Sequence, residues 1–192
     1  MDGSYLTNPL VFLVQVIFGA YTLVVMLRFL LQLVKADFYN PVSQFVVKIT
    51  TPPLRPLRRM IPGIAGLDIA SIILMWLLKS LELALIMMIG GLGTSLLPAL
   101  IWSIPELISL FINVFLFAIL IQVIISWVNP GGYNPVIGLL NSLTEPLLGP
   151  ARRIVPPISG LDLSPMLVMI GLVLLKMLLL PPIQLLVGSP FR

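Results

Sequence analysis

The chain has 192 residues, of which 59% are hydrophobic and only 9% are charged, and its mean hydropathy is +1.13. Soluble domains carry roughly 25% charged residues, so this composition excludes a water-soluble globular protein and predicts an integral membrane protein. The net charge is +4, and the absence of Cys and His excludes disulfides, thiol nucleophiles and the usual zinc sites.

Four apolar runs are long enough, or nearly so, to cross a bilayer, which requires about 20 residues. They lie at about 10–34, 69–89, 105–128 and 165–180. The first run is too long for a signal peptide and follows no basic segment, so we predict a retained spanning helix. Ser103 and Pro105 form a cap and first turn, so we predict that the third helix begins there. The fourth run is short, and we expect it to begin earlier or to continue beyond Pro181 and Pro182.

One stretch between these runs occurs twice, at 39–68 and at 133–162. The two copies align without a gap, and 15 of their 30 positions are identical. Each copy lies between two apolar runs. The repeat therefore predicts two halves, 1–98 and 99–192, each with two spanning helices.

Each copy begins with a predicted amphipathic helix, in which Asn40-Pro41 or Asn134-Pro135 supplies the cap and the first-turn proline. Apolar residues at spacings of 3, 4 and 7 then form one face: Val42, Phe45, Val46 and Ile49, and Val136, Leu139, Leu140 and Leu143. We predict that Pro52 and Pro146 end these helices. The apolar face fits either the membrane surface or the chain's own spanning helices, and both interpretations stay open.

Basic residues concentrate in the two repeated connections. They are Lys35, Lys48, Arg55, Arg58 and Arg59 in the first, and Arg152 and Arg153 in the second. The connection at about 90–104 contains none. The positive-inside rule therefore predicts that both repeats are cytoplasmic and both termini outside. The halves are then parallel rather than inverted, and we expect them to pack as a four-helix bundle.

This order of features resembles the YggT (YlmG) family of integral membrane proteins over essentially the whole chain. The matching positions are Asn40, Pro41, Thr50, Pro52, Arg58, Pro62, Gly66 and Asp68, and Asn134, Pro135, Thr144, Pro146, Arg152, Pro156, Gly160 and Asp162. The resemblance implies a multi-pass protein of the bacterial inner membrane, with chloroplast relatives. It also implies links to osmotic tolerance, cell division and assembly in plastid membranes, and no assigned catalytic activity.

The arginine pair and the aspartate of each copy form the first candidate site. Its members are Arg58, Arg59, Asp68, Arg152, Arg153 and Asp162. In one interpretation an arginine holds the aspartate, which caps the next spanning helix. In the other, the arginines form a cytoplasmic surface for anionic lipid headgroups, phosphate or a partner's carboxylates. Lone aspartates without His, Cys or a phosphate-binding glycine loop disfavour catalysis.

Ionisable residues within the apolar runs form the second candidate set: Arg28, Lys79, Glu82 and Lys176. Such charges are costly in hydrocarbon, so they normally face the protein interior and pair. Lys79 and Glu82 are three residues apart and can meet on one helix face. The set either fixes helix packing or lines a pathway for an ion or proton. Arg28 aligns with Gln122, which disfavours any role that needs an arginine in both halves.

We therefore predict an all-α membrane protein of four spanning helices, with a cytoplasmic interfacial amphipathic helix in each half. The predicted function is non-enzymatic, as a membrane organiser or assembly factor, and the alternative is a small-ion transporter or channel component in osmotic stress. Membrane lipids are the expected partners, with a membrane-associated protein or a second copy of the chain as further candidates. No cofactor, metal ion or nucleic acid is expected.

Overall fold

The computed structural model describes residues 4–63, 66–91, 93, 96–128, 134–155 and 162–188. Its helices are α1 (Ser4–Leu33), α2 (Pro41–Met60), α3 (Ile69–Ile89), α4 (Leu96–Val128), α5 (Pro135–Ile154) and α6 (Ser164–Leu186). Helices α1, α3, α4 and α6 are long and apolar enough to cross a membrane. The prediction of a helical protein with four such helices is confirmed.

The predicted start of the third apolar helix is wrong, because α4 begins at Leu96 and includes Pro105 in its interior. Proline removes one backbone donor and normally breaks a helix. Near this interruption, Trp76 Nε1 of α3 and Ser103 Oγ both donate to the carbonyl of Leu100, at 2.9 and 2.8 Å. Pro105 removes the helical donor to the next carbonyl, that of Ile101, so these bonds attach α3 to the same turn of α4 without replacing the missing one. Helix α6 continues through Pro181 and Pro182 to Leu186, which confirms the expectation that the fourth run extends beyond these prolines.

The prediction that prolines end the two short helices is also wrong. Helix α2 runs through Pro52 and two further prolines, and α5 runs through Pro146. In α2, Pro53 leaves the carbonyl of Ile49 without its helical donor, and the Tyr21 hydroxyl of α1 donates to this carbonyl at 3.3 Å. A neighbouring helix thus replaces a bond that proline removes.

The four long helices form an open row, α1–α3–α4–α6, rather than the expected four-helix bundle. Helix α1 packs mainly against α3, α3 against α4, and α4 against α6; α1 also touches α4, whereas the described parts of α1 and α6 do not meet. Only 6% of the most apolar stretch of α6 is buried, compared with 33% for α3. Helix α6 therefore presents most of its apolar side chains outward, as a lipid-facing helix can.

The two short helices lie together at one end of this row. Helix α2 joins α1 to α3, α5 joins α4 to α6, and the two touch where Asn40 Nδ2 donates to the carbonyl of Pro135 at 2.7 Å. The predicted caps form: the Oδ1 atoms of Asn40 and Asn134 accept the N–H groups of Val42 and Val136, both at 2.9 Å. Both connections consequently share one end of the molecule.

The apolar face of each short helix is divided between packing and exposure. In α2, Val46 is buried and Leu54 joins the central core, whereas Phe45 is 60% exposed. In α5, Leu139 and Leu143 are buried. Part of each face thus packs on the chain's own long helices, and Phe45 remains on the surface of the protein.

Candidate functional site

An arginine and an aspartate of the first copy form an ion pair at the start of α3. Arg58 Nη2 donates to Asp68 Oδ2, which also accepts the Ser71 hydroxyl at 2.5 Å. Asp68 is buried and caps α3, with its Oδ1 atom 3.4 Å from the backbone nitrogen of Ser71. Gly66 has a φ of +82°, which side chains rarely adopt and which helps the segment to fold back. This geometry matches the interpretation in which an arginine holds the capping aspartate.

Two opposing effects act on the Asp68 carboxyl. Burial by itself would raise its pKa, because a low-dielectric environment disfavours the carboxylate. Hydrogen bonds from Arg58 and Ser71 outweigh burial and hold the pKa of Asp68 below its ordinary value. The carboxylate is therefore charged at neutral pH, and its ion pair persists there.

The second copy forms a more open version of the pair. Arg152 donates through Nε to Asp162 Oδ2 at 3.0 Å and through Nη1 to Glu145 Oε2 at 2.9 Å. Asp162 is exposed and accepts the N–H of Ser164 at 2.9 Å, but it is not the cap residue of α6. Burial would raise the pKa of Asp162, and hydrogen bonds from Ser164 and Arg152 lower it overall. Residues 129–133 and 156–161, which include Gly160, lie outside the described residues.

The other arginine of each pair has a different environment. Arg59 and Arg153 are exposed and form no ion pair within the described part of the chain. Each is followed by an exposed apolar residue, Met60 at 80% and Ile154 at 75% exposure. Each copy thus combines one arginine that pairs with an aspartate of its own connection and one that is free to contact other molecules.

Arg28 joins α1 to α2 and is separate from the other intramembrane charges. This buried side chain donates through Nη1 to the Val47 carbonyl at 3.0 Å, to Thr50 Oγ1 at 2.7 Å and to Thr51 Oγ1 at 3.0 Å. In the second half, Gln122 Oε1 lies 2.6 Å from Thr144 Oγ1. The same contact between long and short helix therefore forms from different side chains.

The remaining intramembrane charges lie between the long helices. Lys79 Nζ is 2.9 Å from Glu82 Oε1, and Lys176 Nζ of α6 donates to Asn113 Oδ1 of α4 at 2.8 Å. Lys79 and Asn113 also line a small cavity of about 140 Å³. Its other lining residues are Gly19, Thr22, Glu106, Ser109 and Leu110. The structure thus brings Lys79 and Glu82 together, and Lys176 reaches the same region through Asn113.

The sequence patterns did not predict Glu106 and Ser109 as members of this polar region. Glu106 directly follows Ser103 and Pro105, which predicted a helix start at this point. The missed signal is the spacing of Glu106, Ser109 and Asn113, at i, i+3 and i+7, which defines a polar stripe on one helix face. Among the described residues, no three acidic side chains converge to form a metal site.

Comparison with known proteins gives a family and several relatives. The CCB3/YggT family model matches the chain twice, at residues 7–89 and 101–183. An uncharacterized protein of Pseudomonas aeruginosa is 46% identical over 187 residues, which cover 96% of this chain and 95% of the relative. The YggT protein of Escherichia coli K12 is 38% identical over 172 residues, which cover 88% of each chain. No solved structure shows a significant match to the chain. The doubled family match and these full-length relatives show that the chain belongs to the CCB3/YggT family.

Proposed function

We propose that the chain is a non-enzymatic organiser or assembly factor of the bacterial inner membrane. Its two Arg/Asp connections form one cytoplasmic surface that engages anionic lipid headgroups and a membrane-associated protein. The halves 1–98 and 99–192 are parallel repeats, each with an interfacial amphipathic helix, and both termini are outside. The family match at 7–89 and 101–183 agrees with this division.

One observation carries the proposal: both copies expose an unpaired arginine next to an exposed apolar residue. These residues are Arg59 and Met60 at the end of α2, and Arg153 and Ile154 at the end of α5. A guanidinium group binds phosphate and carboxylate oxygens in a bidentate manner, and the apolar side chain can enter the lipid boundary or a partner's pocket. We call these four residues the exposed platform. The two short helices touch at their N-terminal ends, which favours both connections, and so both parts of the exposed platform, on the same side of the membrane.

The arginines that pair with aspartates stabilise the two connections, which leaves binding rather than catalysis as the function of the exposed platform. Arg58 and Arg152 form ion pairs with the aspartates of their own connections, so they support the fold of each connection. The Ser71 hydroxyl donates to the Asp68 carboxylate, but both residues are buried and Asp68 is paired with Arg58, so they do not offer the accessible nucleophile and base that an enzyme acting on lipids would need. The exposed platform can bind an anionic group but offers no side chain that would transfer a proton.

The topology is testable because the sequence contains no Cys. The single variants Met60→Cys and Ile154→Cys each introduce one exposed thiol beside the arginine. A membrane-impermeant maleimide should label both variants in inverted membrane vesicles and neither in intact spheroplasts. Labelling of the two positions from opposite sides would overturn the parallel arrangement and the shared surface.

The function is testable with the double variant Arg59→Gln/Arg153→Gln. A strain that lacks the chain would receive wild type, this variant, or Lys48→Gln as a matched loss of an exposed cation elsewhere on α2. Growth after an osmotic upshift should be restored by wild type and by Lys48→Gln, but not by the double variant at equal membrane abundance. Full restoration by the double variant would contradict the proposal.

A polar cavity between the long helices favours small-ion transport as the second candidate function. Lys79, Glu106 and Asn113 line this cavity of about 140 Å³, and Lys176 is bonded to Asn113. The open row of helices encloses little space, so a pathway would need a second copy of the chain, and α6 offers a broad apolar face for it. Purified protein in liposomes should then conduct an ion, and Glu82→Gln or Glu106→Gln should change the flux. Flat traces under several ionic gradients would contradict this alternative.

A further inference from the structure

A larger cavity lies where the C-terminal end of α1 meets α2, away from the exposed platform. Its volume is about 350 Å³. Three cationic side chains line it, Arg28, Lys35 and Arg58, together with the polar residues Gln32 and Ser43. The rest of its lining is apolar. We call this cavity the α1–α2 pocket.

Several hydrogen-bond donors at this pocket have no acceptor. All three bonds of Arg28 involve Nη1, and its Nε and Nη2 groups donate to no acceptor in the described part of the chain. The hydroxyl of Ser43 is buried and has no partner there either. The buried Ser43 hydroxyl costs free energy while it has no acceptor. A ligand with several oxygen atoms would satisfy both groups at once.

Positive charge exceeds negative charge at the pocket. Asp68 is next to it, but its carboxylate is already bound to Arg58 Nη2. Asp37 is exposed and outside the lining, and its Oδ1 atom accepts the N–H of Tyr39. Arg28 and Lys35 therefore form no ion pair among the described residues, which favours an anionic ligand.

Backbone geometry holds Lys35 in place at the rim. Lys35 has a φ of 52°, the left-handed conformation that ends many helices. Its N–H donates to the Gln32 carbonyl at 3.1 Å, and the next N–H, of Ala36, donates to the Leu31 carbonyl at 2.9 Å. This pattern ends α1 tightly and sets the lysine stem beside the pocket.

We propose that the α1–α2 pocket binds the phosphate group of an anionic phospholipid. The pocket lies at the end of a candidate membrane span, Asn8–Leu33, at the depth where headgroup phosphates would meet it. Leu31 and Val46 line both this pocket and a neighbouring apolar cavity of about 440 Å³ between the two halves. An acyl chain can occupy that apolar cavity while the phosphate contacts the cations. This site goes beyond the exposed platform, because neither Arg59 nor Arg153 lines it.

The second half lacks the corresponding chemistry, so one lipid should bind per chain. In the repeat alignment, Gln122 replaces Arg28, Ile137 replaces Ser43 and Asn129 replaces Lys35. A phosphate group there would lack the counterparts of the Arg28 and Lys35 cations and of the Ser43 hydroxyl. Because the two halves differ in this way, the number of lipid molecules bound per chain is part of the test.

Native mass spectrometry of the full chain, released from nanodiscs, tests the proposal. The nanodiscs would contain phosphatidylcholine with a minor fraction of phosphatidylglycerol. We expect wild type to retain one phosphatidylglycerol molecule. The double variant Arg28→Gln/Ser43→Ala should retain about tenfold less phosphatidylglycerol, because charged hydrogen bonds contribute strongly to binding. The glutamine at position 28 corresponds to Gln122 and can keep the contact with Thr50. A thermal melt in pure phosphatidylcholine checks that the double variant folds.

Controls separate this site from the exposed platform and from other anions. Lys48→Gln removes an exposed cation outside the pocket and should retain the lipid as wild type does. Arg59→Gln/Arg153→Gln should also retain it, so either proposal can fail alone. Inorganic phosphate, added to protein in pure phosphatidylcholine, tests the other source of the same chemistry. Binding of phosphate without selective lipid retention would overturn the lipid assignment, as would two retained lipids or equal retention by the pocket variant.

Discussion

Arg28 Nη1 donates to Thr50 Oγ1 at 2.7 Å, and the equivalent pair in the second half, Gln122 and Thr144, approaches to 2.6 Å. Both threonines are fully buried and also lie within hydrogen-bond distance of a carbonyl in the preceding helical turn. The repeated threonine is thus the point where each short helix attaches to the long helix before it. The attachment needs a polar partner but does not need a charge.

This attachment predicts different costs for two substitutions of Arg28. Arg28→Ala removes three hydrogen bonds to α2 and should lower the free energy of unfolding by about 1.5–3 kcal/mol. Arg28→Gln should cost less, because Gln122 shows that a glutamine can make the contact. Thermal unfolding of detergent-solubilised protein measures both. Equal losses for the two variants would show that the charge itself stabilises the fold.

The buried ion pair of Asp68 predicts a dependence of stability on pH. The folded-state pKa of Asp68 is below its ordinary value, so the stabilisation is fully present above about pH 3.9 and is lost as the pH falls through the folded-state pKa. Asp68→Asn should therefore lower stability at pH 7 by about 1–3 kcal/mol, and its difference from wild type should shrink on acidification.

Asp162→Asn is the matched control for Asp68→Asn. Its aspartate is exposed, so solvent screens its pair with Arg152 and the loss at pH 7 should be smaller. Chemical unfolding of both variants at pH 7 and over a series of pH values below about 3.9 measures the difference. A larger loss for Asp162→Asn would contradict the assignment of Asp68 as the buried member.

The hydrogen bond between Asn40 and Pro135 predicts that the two short helices stabilise each other. Asn40→Asp keeps the Oδ1 atom that caps α2 but removes the Nδ2 donor to the Pro135 carbonyl, which should cost about 1 kcal/mol. Asn134→Asp keeps the corresponding cap and loses no hydrogen bond to the other half among the described residues, so it should be nearly neutral. Thermal melts of the two variants make the comparison. Equal stability would show that this bond adds nothing.

The buried pair of Lys79 and Glu82 predicts strong coupling between its two members. Lys79→Met leaves the Glu82 carboxylate buried without its cation and should cost about 3–5 kcal/mol. The double variant Lys79→Met/Glu82→Met should recover most of the loss, because two unbranched apolar side chains then fill the space. A double-mutant cycle measures this coupling. Additive losses would indicate that the two side chains do not depend on each other.

The same double variant separates packing from transport. If the charges only hold helices together, the folded double variant should still restore osmotic tolerance. If they form an ion pathway, it should fold normally but lose any flux that wild type shows in liposomes.

The sequence by itself determined those features that depend on local composition and spacing. Twenty or so apolar residues in a row predict a spanning helix wherever they pack, and Asn-Pro predicts a helix start because the cap bonds form within one turn. The three-residue spacing of Lys79 and Glu82 similarly predicted their meeting, which the structure shows at 2.9 Å.

The tertiary structure alone decided those features that depend on partners distant in the chain. Pro53 does not end its helix, where Tyr21 of a neighbouring helix donates to the carbonyl that lacks its helical donor. Pro105 also lies inside its helix, and Trp76 of a neighbouring helix donates to the adjacent Leu100 carbonyl. The open row, the polar cavity around Glu106 and the cationic α1–α2 pocket likewise arise from which helices become neighbours. A linear pattern contains no distance between two helices, so these contacts appear only when the chain is folded.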